Sequence, residues 1–216
     1  GSASYLRSRN PFLRQQSYLG DYIVYNYLPK STSSETFWIG GKISKGLDVW
    51  ELVGTLSASY SNSHSQMQQN GVLQSFRSDV FQTKLDLNAR PVSWMNWNYQ
   101  ILYSHNRMKL DFYQPTTHHL NQELTFIFKP SNRLRLGMAG EHYLNTIAEN
   151  QTKNFVMLDA NLSYQISSQC EITCRLSNLL NEKEYAYTSF TNDAMRISRR
   201  YIIRPRNFLI GGDITF

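Results

Sequence analysis

Alternation of apolar and polar residues, repeated in run after run, constrains this chain more than any other feature. Successive side chains of a strand point to opposite faces, so a period of two sorts residues onto two surfaces. Near the C-terminus Phe208, Ile210, Gly212, Ile214 and Phe216 share one face, and Asn207, Leu209, Gly211, Asp213 and Thr215 the other. Cys170, Ile172, Cys174 and Leu176 oppose Glu171, Thr173, Arg175 and Ser177. Val156, Leu158, Ala160, Leu162, Tyr164 and Ile166 oppose Asp159, Asn161, Ser163 and Gln165. Leu124, Phe126 and Phe128 behave alike, as do Trp97, Tyr99, Ile101 and Tyr103, and Leu52, Leu56, Ala58 and Tyr60. Runs near Tyr18 to Leu28 and Phe37 to Ile43 alternate less cleanly. The pattern predicts about ten strands of roughly 10–14 residues, long beside the ~5–6 of an ordinary sheet.

Connections follow a rhythm. Tight turn signals stand at Lys45-Gly46-Leu47-Asp48, Arg90-Pro91-Val92-Ser93, Lys129-Pro130-Ser131-Asn132 and Ser167-Ser168. Between them lie polar stretches at Ser61–Gln74, Asn106–His118, Asn145–Lys153 and Asn181–Ser198, read as long loops. Short and long connections alternate in an up-and-down meander. A β-propeller has a comparable period, but it carries four short strands and a recurrent signature in each, and this chain has neither.

Average composition hides the two faces. Of 216 residues 18% are charged, 41% hydrophobic and 13% aromatic, with 14 tyrosines. So many aromatics exclude an intrinsically disordered chain. The lack of any long uninterrupted apolar run excludes a helical membrane protein. What stays open is a soluble antiparallel barrel or a membrane barrel, whose alternating faces cancel in an average. Strand length and aromatic placement favour the membrane barrel. Trp94, Trp97, Phe126, Phe128 and Tyr164 cluster beside tight turns, where an interfacial girdle would lie, and Arg204 and Arg206 fall at the opposite rim. A net charge of +6 suits anionic lipid or lipopolysaccharide. Its even spread argues against nucleic acid.

The stretch Leu176-Ser177-Asn178-Leu179-Leu180-Asn181-Glu182-Lys183-Glu184-Tyr185, then Arg204-Pro205-Arg206-Asn207-Phe208 and a strand ending in Phe216, resembles the last two strands of TonB-dependent outer-membrane receptors of the Bacteroidetes type. The resemblance implies a nutrient-uptake receptor of the bacterial outer membrane without catalytic activity or cofactor. It also implies a C-terminal assembly signal at Phe208, Ile210, Ile214 and Phe216. Such receptors have about 22 strands and an N-terminal plug that engages TonB. No plug is visible here. The expected fold is therefore all-β: an antiparallel up-and-down transmembrane β-barrel of about ten strands, a fragment of a larger barrel. Residues 1–16 read as a lead-in, with Gly1-Ser2 a cloning remnant, and 17–216 as barrel strands. Such a fragment would be incompetent for transport alone, and would close on itself or associate through its edges. The partners implied are outer-membrane lipid, the missing plug and strands, and TonB through that plug. The alternatives are a complete ten-stranded barrel acting as enzyme or adhesin, and a soluble ligand-binding barrel.

Chemistry-bearing residues are few. Cys170 and Cys174 lie roughly 13 Å apart along one strand face, beyond disulfide reach, and read as small apolar side chains. His118-His119 with Asp111 suggests a metal or a proteolytic pair, but adjacent strand histidines face opposite ways, so loop histidines are the simpler reading. His64 and His105 show no ligand-spaced partner. Lys84, Asp86, Glu123, Arg133, Arg135, Glu141 and Arg175 share the polar parity and would line a lumen. Candidate substrate contacts in the loops are Tyr185, Tyr187 and Phe190 as stacking groups.

Overall fold

β-Branched and aromatic residues at every second position favour extended backbone, because they pack on a pleated surface. The computed structural model describes every residue except 20, 21, 111, 112, 149, 150, 191–195, 215 and 216, and the side chains of Tyr18 and Phe190 are likewise not described. Its strands are β1 (Ser2–Asn10), β2 (Leu13–Leu19), β3 (Tyr22–Leu28), β4 (Thr32–Leu47), β5 (Leu52–Gln69), β6 (Val72–Val92), β7 (Met95–Lys109), β8 (Thr116–Ser131), β9 (Leu134–Ala148), β10 (Gln151–Ser167), β11 (Cys170–Ser177), β12 (Glu184–Phe190), β13 (Arg196–Ile202) and β14 (Asn207–Ile214). A single 3-10 turn, Val49–Glu51, links β4 to β5, and no α-helix occurs among the described residues.

The protein is all-β and antiparallel. Ten strands form one path in the order β1-β4-β5-β6-β7-β8-β9-β10-β11-β14. Tight turns after β4, β6, β8 and β10 define a lower end, where β1 also begins and β14 finishes. At the upper end β5 turns into β6 through Asn70-Gly71, both at positive φ (49° and 85°). Two positive-φ residues make the right-twisted hairpin turn that Asn-Gly favours. The strand path ends at β1 and β14, and no ladder joins them among the described residues.

Two expectations change here. The lead-in over residues 1–16 contains β1, which pairs with β4 in a ladder from Ser2↔Gly40 to Asn10↔Thr32. Its partner lies 22 or more residues away, so no local signal reports the pairing. The polar stretch Ser61–Gln74 is a continuation of strand, with β5 running to Gln69 and β6 starting at Val72. Several strands of the path therefore reach 15–21 residues.

Two further hairpins stand at the upper end. β2–β3 joins the sheet through a short parallel contact, Gln15↔Gln68 and Gln16↔Gln69. Leu13, Met67, Phe76 and Met108 are buried nearby and make most of the small apolar core. The other hairpin, β12–β13, is a separate two-stranded sheet. It leaves β11 through Asn178 and Asn181, both in the left-handed region (φ 52° and 56°). The Asn178 Nδ2 donates to the carbonyls of Glu182 (2.8 Å) and Arg204 (2.9 Å), and its Oδ1 accepts from the Glu182 N–H. Its own N–H donates to Asp159, while Asn181 Oδ1 accepts from the Arg206 N–H. The Asn-Leu-Leu-Asn segment is thus a polar knot holding β11, the hairpin and the start of β14 together.

Candidate functional site

Residues directly opposite across a ladder share a face, so the register shows how far the apolar surface extends. One row runs Ala89, Trp97, Phe126, Met138, Ala160, Leu176, Phe208 through seven consecutive strands of the path. The next runs Met95, Phe128, Leu136, Leu162, Cys174, Ile210. Toward the N-terminal half, Ile43, Leu56, Leu85 and Ile101 line up, and Gly41, Ala58, Thr83, Tyr103 and Leu120 above them. The apolar parity of every long strand thus joins into one band crossing all ten strands.

The band is not covered. Ile43 is 69% exposed, Ile210 69% and Phe208 56%. A soluble monomer rarely leaves a contiguous apolar patch larger than a few hundred Å². On β10 the apolar face runs from Val156 to Ile166, about 33 Å along the strand and about 25 Å along the normal of a strand tilted by roughly 40°. Trp94 meets Phe128 edge to face at 5.0 Å beside the lower turns. Between the aromatic ends, small Ala160 and Cys174 leave an apolar hollow of about 450 Å³, walled by Phe126, Met138, Leu162 and Leu176. Cys170 and Cys174 are free thiols on this face, opposite Ile214 and Ile210.

The other face is polar. Lys84 pairs with Asp86 (3.1 Å), and Asp86, Gln100, Glu123 and Glu141 are opposite one another in turn. Toward the upper end this face turns aromatic and carries the hairpin. Tyr143, Phe155 and Tyr185 form a triangle with ring centres 5.3–5.8 Å apart. Tyr187 packs edge-on to His119, and Tyr201 stacks beside both Tyr185 and Tyr187 at 6.4 Å. Polar clamps fix the hairpin there. Thr188 Oγ1 donates to the Ile147 carbonyl (2.7 Å), Asn145 Nδ2 to the Ala186 carbonyl (3.5 Å), and Lys153 pairs with Glu184. The Lys153 hydrogen bond, with Arg200 nearby, holds the Glu184 carboxyl below its ordinary pKa. Arg199 donates to the Tyr187 hydroxyl at 3.0 Å and draws that phenol below its usual range, whereas burial pushes Tyr185 up. The result is a row of flat rings with guanidinium groups at its rim, suited to stacking and hydrogen bonding but without a nucleophile–base pair.

Tyr185 and Tyr187, expected in a loop, lie on β12 and are brought together with Tyr201, which sequence reasoning left out. The alternation of Tyr185, Tyr187 and Arg199, Tyr201 was the available signal. The Phe190 side chain falls outside the described residues. Of the C-terminal group, Phe208, Ile210 and Ile214 lie on the apolar parity of β14, and Phe216 is outside the described residues. The histidines differ from expectation. His118 and His119 are strand residues of β8, not loop residues. His118 faces His105, with Nδ1 atoms 3.2 Å apart and the Tyr103 hydroxyl 3.1 Å from His118 Nδ1. His105 therefore has a partner, hidden by a separation of 13 positions in the sequence. His119 turns to Asn145 on the opposite face (3.1 Å). Asp111 lies outside the described residues. Among those described, no three His, Cys, Asp or Glu side chains come close enough to hold a metal.

No family model matches the chain, and no curated protein or solved structure matches it either. No helix among the described residues is long and apolar enough to cross a membrane, which leaves crossing by strands untouched.

Proposed function

We propose that this chain is part of the wall of a bacterial outer-membrane receptor of the TonB-dependent type, serving nutrient uptake and performing no catalysis. The observation that carries the reading is the uncovered apolar band, continuous across ten hydrogen-bonded strands. Water penalises such a surface, whereas lipid matches it, and the interior strands of the path, β4 to β11, have a hydrogen-bonded neighbour on both sides. The polar face then lines a lumen. There the β12–β13 hairpin holds Tyr185, Tyr187 and Tyr201 as stacking surfaces for a passing substrate. Gating belongs to a plug, which engages TonB, and to further strands that complete the wall. The Asn178–Asn181 knot supports the same assignment, since the resemblance rests on that segment.

Neighbouring residues on β8 test the reading. Leu124 lies in the middle of the band and is exposed, whereas Thr125 is exposed on the polar face between Asn98 and Ala139. In a membrane wall Leu124→Lys costs about 2–4 kcal/mol and Thr125→Lys about 0–1 kcal/mol. Urea unfolding of vesicle-inserted protein measures both. Equal costs, or a wild-type chain that stays monodisperse in plain buffer at high concentration, would overturn the assignment.

A further inference from the structure

Near the upper end β7 and β8 meet in the pairs His105↔His118, Asn106↔Thr117 and Arg107↔Thr116. Side chains directly opposite share a face, so the two imidazoles stand side by side on the outward parity, next to Phe81 of β6. Their Nδ1 atoms face each other at 3.2 Å, with ring centres 4.6 Å apart. The Tyr103 hydroxyl, from the same parity of β7, comes within 3.1 Å of His118 Nδ1. His118 is exposed and His105 half-buried, so the group is open to solvent. β9 fixes its backbone. The His118 N–H donates to Thr146 Oγ1 (2.9 Å), and the hydroxyl of this buried threonine donates to the His118 carbonyl (3.2 Å).

An imidazole Nδ1 carries either one lone pair or one hydrogen. A lone pair on His118 Nδ1 accepts from only one of its two neighbours, His105 or Tyr103, at a time. A cation between the rings uses both Nδ1 lone pairs together, with each ring proton on Nε2. Two nitrogens held about 2.0–2.1 Å from one tetrahedral zinc lie about 3.3–3.4 Å from each other. The observed 3.2 Å nearly matches that bite without any shift of either strand. One row above, Arg107 is turned away to Gln114 (3.1 Å) and stands directly opposite Asp79, which offsets its charge.

We propose that His105 and His118 form a two-histidine site for a divalent transition cation of the zinc, nickel or copper class. The Tyr103 oxygen and water fill the remaining positions. Magnesium and calcium prefer oxygen ligands and are not held there. Ligands from two adjacent strands make the site a clip across the hairpin end. It stands on register and side-chain geometry and does not rest on the membrane reading.

The full chain, free of any affinity tag, is titrated in detergent micelles with Zn2+ and with Mg2+. Modification of imidazoles by diethyl pyrocarbonate is read residue by residue by mass spectrometry. Zn2+ is expected to protect His105 and His118 together and to leave the exposed His64 reactive, and Mg2+ to protect neither. By calorimetry, His105→Ala and His118→Ala should each weaken Zn2+ binding by about tenfold or more, whereas His64→Ala retains it. Equal protection of His64, protection by Mg2+, or unchanged Zn2+ affinity in either pair variant would overturn the proposal. Protection is read on the unaltered chain, so a variant that fails to fold leaves the test intact: no protection of His105 and His118 there rejects the site.

Discussion

Asn178 is only 5% exposed; its side chain satisfies backbone groups of Glu182 and Arg204, and its own N–H donates to the Asp159 carboxylate. Its left-handed φ is tolerated by asparagine and costs an alanine about 1 kcal/mol. Removing the amide also leaves the Glu182 and Arg204 carbonyls and the Glu182 N–H without that partner, at about 1–3 kcal/mol in a buried setting. Asn178→Ala is therefore expected to destabilise the C-terminal unit by about 2–4 kcal/mol in urea titrations of lipid-inserted protein. A loss below about 0.5 kcal/mol would show that the knot forms without its side chain. This position was visible in the sequence only as part of a motif. Its role depends on Arg204, 26 residues on, and no period of two or three points there.

At the scale of elements, the β12–β13 hairpin is held by few contacts, and one of them titrates. Glu184 has its pKa lowered from an ordinary 4.5 by Lys153 and then Arg200. A depressed carboxylate pKa stabilises the docked hairpin above the ordinary value, and that contribution fades as pH falls through 4.5 toward the lowered one. The protection factors of the β12 amides, taken against the intrinsic exchange rate at each pH, are thus expected to fall below about pH 4.5, and Glu184→Gln to remove this dependence. An unchanged pH profile in the variant would place the titrating group elsewhere. The long strands of the path were legible because alternation is local, and so were the four lower turns. The upper end was not. Asn70-Gly71 was a readable hairpin signal inside what looked like a loop, and the extra strand length there carries mostly polar residues on both faces, such as Gln66, Gln68 and Gln69. β1 and the hairpin clamps depend on partners 22 to 41 residues away, and a local pattern carries no information about them.

For the whole molecule, the decisive tension lies between the uncovered band and the two strand edges. β1 and β14 each have one ladder, to β4 and to β11, so one side of each backbone has no strand beside it among the described residues. In water such groups are hydrated, and an edge is only an aggregation liability. In the hydrocarbon core each unpaired N–H or C=O costs several kcal/mol, and eight-residue β14 alone would make an isolated open wall untenable. On the proposed membrane reading the band faces lipid, and lipid demands that the edges be paired. Both conditions hold only if β1 and β14 meet further strands, whether another part of a longer wall, a second copy, or each other after closure. Vesicle-inserted protein should therefore show amide exchange in β1 and β14 as slow as in β7 and β8, the interior strands. Fast exchange at both edges in a protein that cross-linking reports as monomeric would mean that the wall does not lie in the bilayer. The apolar band would then need a protein partner as its cover.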